Sequence, residues 1–175
     1  ALALAGGLAL PGIAATPAPL AFPGAQGWAA HATGGRGGRI IKVTTLAPEG
    51  PGSIGEALAA SGPRIVVFEV GGVVDLGART VRITEGDLTI AGQTAPQPGI
   101  TFIRGGFDIA ASNVIVRHIR VRHGDAGLAK MSGTDFDAIS TVGVLNLAIT
   151  DVVAEVGDQL TVMSESLSVA STAKA

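Results

Sequence analysis

A short motif recurs along this chain and constrains its fold more than any other feature. Asp87-Leu88-Thr89-Ile90 is echoed by Asn113-Val114-Ile115-Val116 and again by Asn146-Leu147-Ala148-Ile149. Each copy is a turn-forming Asx residue followed by apolar, variable and apolar positions. The steps are 26 and 33 residues. Such periods belong to solenoids or propellers, in which one unit buries its apolar face only against its neighbours. The longer second step leaves room for a loop insertion at 124–136 (GDAGLAKMSGTDF). Around the copies lie short β-branched or apolar runs: Ile65 to Val70, Val73-Val74, Thr80 to Ile83, Ile100 to Ile103, Phe107 to Ile109 and Val114 to Val121. Gly, Pro, Asp or Asn separates most of them, and no helical pattern intervenes. Three short strands per repeat without an Asn-Gly hairpin signal favour a parallel β-helix over the alternative, a β-sandwich.

Composition sets what fills such a coil. Aromatics make up only 3% of the 175 residues, so the core is built from Val, Ile, Leu and Ala. An apolar fraction of 47% argues against general disorder. The length suffices for one domain with a core. A net charge of −2 and a pI near 5.9 give no basic surface of the kind nucleic acid demands. With no cysteine there is neither a disulfide framework nor a thiolate metal site. The three histidines have no i, i+4 helical spacing, and no zinc site is expected.

The start of the chain differs from the rest. Ala1 to Ile13 is apolar and uncharged, and small residues and prolines follow. Residues 1–21 read as the remnant of a secretory signal peptide, with a disordered Ala/Pro tail as the alternative. The apolar run is shorter than the ~20 residues of a bilayer span, and no membrane span is expected elsewhere. The folded domain is expected over 22–175. Its first segment is crowded with glycine from Gly24 to Gly38, which predicts loop. This stretch lacks the Lys-Ser/Thr ending of a phosphate-binding loop. Arg39 to Thr44 predicts a strand. Ser53-Ile54-Gly55-Glu56 fits a helix capping box, with Ile54, Ala57 and Leu58 on one apolar face and Gly62-Pro63 as the stop. This short helix is expected to cover the open end of the coil.

Several of these segments resemble the pectate lyase family. Phe22-Pro23-Gly24-Ala25-Gln26-Gly27 followed by Ala32-Thr33-Gly34-Gly35-Arg36-Gly37-Gly38 is similar to the family's start. Gly50 to Leu58, Leu88 to Pro96, Asn113 to Arg122 and Asp137-Ala138-Ile139-Ser140 resemble its successive coils in order. The resemblance covers roughly Phe22 to Asp151. It implies an all-β, right-handed parallel β-helix with a short N-terminal capping helix. It also implies a secreted enzyme that cleaves polygalacturonate by Ca²⁺-assisted β-elimination.

That chemistry removes the C5 proton of a uronic acid, α to its carboxylate, and expels the 4-O-linked sugar. A cation on the carboxylate raises the acidity of that proton. Ca²⁺ suits the task because it accepts oxygen ligands in a flexible geometry. Several acids must then converge on one groove. Asp151 is the leading metal candidate, since the family places an Asp at this strand end. The family's following His is Val152 here. Asp158 and Glu165 compete for a second acidic position, the latter in Ser164-Glu165-Ser166-Leu167-Ser168-Val169. Asp137 is a further candidate, and Asp135 reads as loop surface. All four candidates have an alternative reading as solvated turn residues. Arg117, Arg120 and Arg122 are expected on an outward strand face, paired with carboxylates of neighbouring coils. The resemblance places the catalytic arginine after Asp151, beyond the last residue of this sequence.

Two functions follow as expectations: a polysaccharide lyase, incomplete at its C-terminal side, or a non-catalytic secreted β-helix that grips acidic polysaccharide. A coil without a cap exposes apolar interior and unpaired backbone, so the isolated chain is expected to associate.

Overall fold

In the computed structural model, residues 18–124, 137–150, 152–154, 160–163 and 167–170 are described. The leader read into residues 1–21 therefore lies almost wholly outside the described residues. Strand β1 (Arg39–Val43) precedes helix α1 (Ile54–Ala59). Strands follow in threes: β2 (Arg64–Phe68), β3 (Gly72–Asp75) and β4 (Val81–Ile83), then β5 (Leu88–Ala91), β6 (Ile100–Ile103) and β7 (Phe107–Ile109). Next come β8 (Val114–Arg117), β9 (Ile119–Arg122) and β10 (Ile139–Val142), then β11 (Leu147–Thr150), β12 (Val153–Ala154), β13 (Leu160–Met163) and β14 (Leu167–Ala170). Every third strand joins the same sheet. Sheet A runs β1-β2-β5-β8-β11-β14, sheet B β3-β6-β9-β12 and sheet C β4-β7-β10-β13. All pairings are parallel. Parallel neighbours need a long crossover, and here each crossover is one full turn through the other two sheets. The architecture is a parallel β-helix.

The recurring Asx residues set its register. Asp87, Asn113 and Asn146 all take left-handed backbone angles, with φ of 50°, 59° and 55°. Asx residues tolerate this conformation because their short polar side chains bond locally. Each one turns the chain from sheet C into sheet A, so Leu88, Val114 and Leu147 align as one inward column. The hydrogen-bond ladder runs through the turns. The Arg64 N–H donates to the Asp87 carbonyl at 3.0 Å, and the Leu88 N–H to that of Asn113 at 3.2 Å. The Asn113 side chain is fully used. Its amide donates to the Asp87 carboxylate at 2.6 Å and to the Thr33 hydroxyl at 2.7 Å, while its oxygen accepts from the Thr33 and Gly34 N–H groups.

Inside, the core is a stack of aliphatic columns such as Val66, Ile90, Val116 and Ile149. Two aromatics, Phe102 and Phe107, meet edge to face at 4.9 Å across the corner between sheets B and C. In the sheet C column, Thr141 stands in register with Ile109 and Ile83. Among the described residues its buried hydroxyl finds no hydrogen-bond partner.

Outside, residues 18–38 form a strap over sheet A. Ala29 and Ala32 pack on the outward side chains Ile115 and Ala148, together with Ala21 and Phe22. The glycines permit this contact: a methyl group at Gly35 would overlap the Arg64 carbonyl, and one at Gly38 the Pro63 carbonyl.

Helix α1 starts as the capping motif predicts, with the Ser53 hydroxyl accepting from the Glu56 N–H at 3.2 Å. The reciprocal bond is displaced by one residue, since the Glu56 carboxylate accepts from the Gly52 N–H at 2.6 Å. The helix ends at Ala59, before Gly62-Pro63, because Arg64 takes over its open carbonyls. Arg64 occupies the first inward position of β2 and is completely buried. Its five N–H groups meet five carbonyl oxygens. They are those of Ala57 and Leu58 in the helix, Gly62 in the connection, and Glu85 and Gly86 in the coil above. Desolvation lowers the guanidinium pKa, and the charge of Glu85 opposes this.

The run Val114 to Val121 is two strands, a correction to its reading as one. His118, at φ 53°, turns the chain from sheet A to sheet B between β8 and β9. Its N–H donates to the Thr150 carbonyl of the next coil at 3.3 Å.

Two stability outcomes follow. Arg64→Met should destabilise the fold by about 3 kcal/mol, because buried carbonyls lose their donors at once. Arg64→Lys, with three donors, should restore part of the loss in denaturant titrations. Thr141→Val should raise stability by about 1 kcal/mol by removing a buried hydroxyl without a partner.

Candidate functional site: the outer face of sheet B

Alternation along the strands decides what sheet B shows to solvent. In β9, Ile119 and Val121 are buried, so Arg120 and Arg122 point outward. In β6 the outward pair is Thr101 and Ile103, and in β3 it is Val73 and Asp75. Coil stacking lines these up as two columns. Val73, Thr101 and Arg120 form one, and Asp75, Ile103 and Arg122 the other.

Arg104 follows Ile103 at the corner toward sheet C with φ 51°. It folds back onto Asp75, 29 residues earlier, through a forked pair. Its Nε donates to both carboxylate oxygens at 2.9 and 3.0 Å, and its Nη2 to one of them at 2.6 Å. This hydrogen bonding holds the Asp75 carboxyl below its ordinary pKa, helped by the Gly77 N–H. The same pair raises the Arg104 pKa. Arg120 donates to the Pro98 carbonyl at 2.9 Å, in the connection from β5 to β6.

The sequence expectation for the arginines is thus met in part. Arg120 and Arg122 lie outward, but the partner shown for Arg120 is a carbonyl rather than a carboxylate. Arg117 sits over the Phe22 ring of the strap, 4.4 Å from its centroid. Carboxylate pairing between coils does occur, at Arg104–Asp75 and at Arg82–Asp108 on sheet C.

Beside this face, the corner from sheet B to sheet C holds Asp137, two residues before β10 and half-buried. The preceding coil makes room for it with Gly106, where a methyl group would press on the carbonyls of Asp137 and Ala138 and on the His123 ring. His123 is buried, and its Nδ1–H donates to the Gly124 carbonyl at 2.9 Å. The insertion read at 124–136 lies, apart from Gly124, outside the described residues. Of the acids singled out from sequence, Asp137 is therefore at the edge of the sheet B face. Asp151, Asp158 and Glu165 lie outside the described residues, as does Asp135. Among the described residues no three His, Cys, Asp or Glu side chains group to hold a metal ion. Asp137 by itself does not fit a calcium site.

The described face carries three guanidinium groups, Arg104, Arg120 and Arg122, against one carboxylate, Asp75. A surface so arranged attracts a polyanion. Sequence reasoning missed the Asp75–Arg104 clasp, because nothing local to either residue signals a partner one coil away. Among the described residues no helix is long and apolar enough to cross a membrane.

Comparison with known proteins adds to this geometry. No family model matches the chain. A probable pectate lyase C from Emericella nidulans is 44% identical over 140 residues, covering 75% of this chain and 32% of that protein. A probable pectate lyase C from Aspergillus terreus is 48% identical over 109 residues, covering 62% of this chain and 25% of that protein. Among solved structures, Jun a 1, the major allergen from cedar pollen, superimposes with a TM-score of 0.56 at 20% identity. That match covers 75% of this chain and 45% of the allergen, and it shows the fold. The chain spans 25% to 32% of the length of these curated relatives. Over the stretch it shares with them, this parallel β-helix is a homologue of the pectate lyase family.

Proposed function

We propose that the chain belongs to a secreted polysaccharide lyase that binds polygalacturonate along the outer face of sheet B. The observation that carries the reading is the 44% identity to a probable pectate lyase C, spread over 75% of the chain. The charge pattern supports it, since Arg120 and Arg122 stand outward on adjacent columns where a uronate polymer needs cations. Guanidinium groups suit carboxylates because they can donate two parallel hydrogen bonds. Arg104, clasped by Asp75, stiffens the edge of the same face.

In this proposal the reaction is β-elimination. The C5 proton leaves to a base, a double bond forms between C4 and C5, and the 4-O-linked sugar departs. Ca²⁺ would supply charge neutralisation at the substrate carboxylate, which makes that proton easier to remove. Asp137, with Asp151, Asp158 and Glu165, is the proposed source of carboxylate ligands. Arg120 and Arg122 act as charge partners of the polymer rather than as the base.

A second reading is binding without cleavage. It is favoured by one observation: the described face offers cations for a polyanion but no arginine removed from solvent to serve as base. Elimination creates a conjugated double bond that absorbs in the ultraviolet, so one assay separates the two. The lyase reading expects absorbance growth on polygalacturonate that stops when calcium is chelated. Polymer retention without absorbance growth would leave binding alone.

Within an active protein, Asp137→Asn should lower turnover at least about tenfold and raise the calcium concentration needed for half-activity. Unchanged calcium dependence would remove Asp137 from the ligand set. Arg122→Ala should weaken polymer binding about threefold to tenfold at low salt, with the difference shrinking as salt screens the charges.

The Asp75–Arg104 clasp predicts a pH response. Because its folded-state pKa is depressed, Asp75 stabilises the native state above its unfolded value of about 3.9. That contribution fades as pH falls through the lower folded value. Carboxyl NMR titration should place the Asp75 midpoint below the ordinary range, and Arg104→Ala should return it there.

A further inference from the structure

We infer that the strap over sheet A carries a second polysaccharide-binding strip centred on Trp28, away from the sheet B face. The inference rests on the proposed affinity for acidic polysaccharide. Trp28 is the chain's single tryptophan and is 82% exposed. The other described aromatics are Phe68, Phe102 and Phe107, which are buried, and Phe22, which is half-buried under Arg117. A large ring left in water forfeits the burial that stabilises the others.

The backbone beneath this ring is held firmly. The Ala25 N–H donates to the Phe22 carbonyl at 3.0 Å, the Ala30 N–H to that of Gly27 at 3.1 Å, and the Ala21 N–H to that of Ala30 at 2.7 Å. Gly24 and Gly27 take the left-handed angles that these turns require. Ala29, next in the chain, is completely buried against sheet A. The indole is thus presented from a fixed platform, which limits the ordering cost of stacking a ligand on it.

Charge selects the occupant. From the first residue to Pro48 the sequence contains no Asp or Glu, while it contains Arg36, Arg39 and Lys42, of which Lys42 is paired with Glu69 at 2.6 Å. Arg36 is exposed and is braced by a hydrogen bond from its Nη2 to the Leu20 carbonyl at 2.6 Å. His31 is exposed on the same strap. An exposed indole on a cationic, carboxylate-free strap fits a sugar ring that bears a carboxylate. The apolar C–H face of a pyranose lies on the ring, and a carboxylate farther along the polymer meets Arg36. The partner is therefore a further stretch of the same uronate polymer.

Since Trp28 is the only indole, the fluorescence of the 175-residue chain reports this strip alone. Saturable quenching or a blue shift is expected with oligogalacturonate and not with a neutral glucan. Trp28→Ala should lower polymer affinity about threefold to tenfold, the worth of one aromatic stack. Arg36→Ala should remove the preference for the acidic sugar while leaving the emission of the free protein unchanged. Absorbance growth from the elimination product is followed separately, on the full-length protein that carries this chain. An emission change without product keeps the strip and overturns the lyase reading. Product without an emission change overturns the strip and keeps the lyase. Equal responses to neutral and acidic oligosaccharides would also overturn the assigned partner.

Discussion

Registration between coils is the constraint on which the rest of this structure depends. A left-handed turn residue costs roughly 1–2 kcal/mol for an ordinary side chain. At the corner from sheet C to sheet A the chain meets that cost three times, at Asp87, Asn113 and Asn146. Asn113 shows how the cost is offset. Its two amide protons and its oxygen are all engaged, partly with Asp87 in the coil below and partly with Thr33 and Gly34 in the strap. The corner thereby fixes which residue begins each strand of sheet A. Because strand side chains alternate, a slip of one residue would exchange the faces. Ile119 and Val121 would enter solvent, and Arg120 and Arg122 would enter the core. The cationic face of sheet B is a consequence of where the Asx residues stand.

The first coil needs a different solution from the others. A middle coil finds apolar columns above and below it, but the first finds helix α1. The carbonyls at the end of a helix have no partner within it. An aliphatic residue at position 64 would continue the column of Leu88, Val114 and Leu147 and leave those carbonyls dry and unbonded. Arg64 resolves both demands. Its stem continues the inward column, and its planar head distributes five donors among helix, connection and second coil. Apolar burial of Ile54, Ala57 and Leu58 completes the seal.

The sequence signals and the structure agree where local chemistry and tertiary packing ask for the same thing. The Asx motif at 87, 113 and 146 was legible because turn residue, apolar pattern and stacking coincide. The strands from Ile65 to Ile109 were legible from β-branched runs bounded by Gly, Pro or Asp. Legibility fails where a residue serves a neighbour one coil away. His118 is neither Gly nor Asx, so nothing in Val114 to Val121 marks a corner, yet the bond from its N–H to Thr150 closes one there. Arg64 opens a strand and reads as a surface charge, since its five acceptors come from three separate segments. Asp75 and Arg104 are 29 residues apart and meet only after a coil has closed. Among the proposed acids, Asp137 was legible from its motif, and the structure sets it at a corner flanking sheet B. Asp151, Asp158 and Glu165 rest on the resemblance to the family and lie outside the described residues.

The three outer faces are not equivalent in what covers them and in how their charges are paired. Sheet A is roofed by the strap, whose alanines and glycines lie close enough to meet Ile115, Ala148 and the Arg64 carbonyl. The outward side chains of Ile115 and Ala148 are thereby covered, and the strap surface takes their place. On sheet C the outward column runs Arg82, Asp108 and Ser140. There the guanidinium of Arg82 is answered by the Asp108 carboxylate at 3.0 Å. Among the described residues the outward carboxylate on sheet B is Asp75, and Arg104 already occupies it. Arg120, which donates to the Pro98 carbonyl, and Arg122 also stand outward on that face. The fold gives every coil three outward strands. The strap covers part of sheet A and carries Arg36, side-chain pairing joins Arg82 to Asp108 on sheet C, and sheet B sets Arg120 and Arg122 outward.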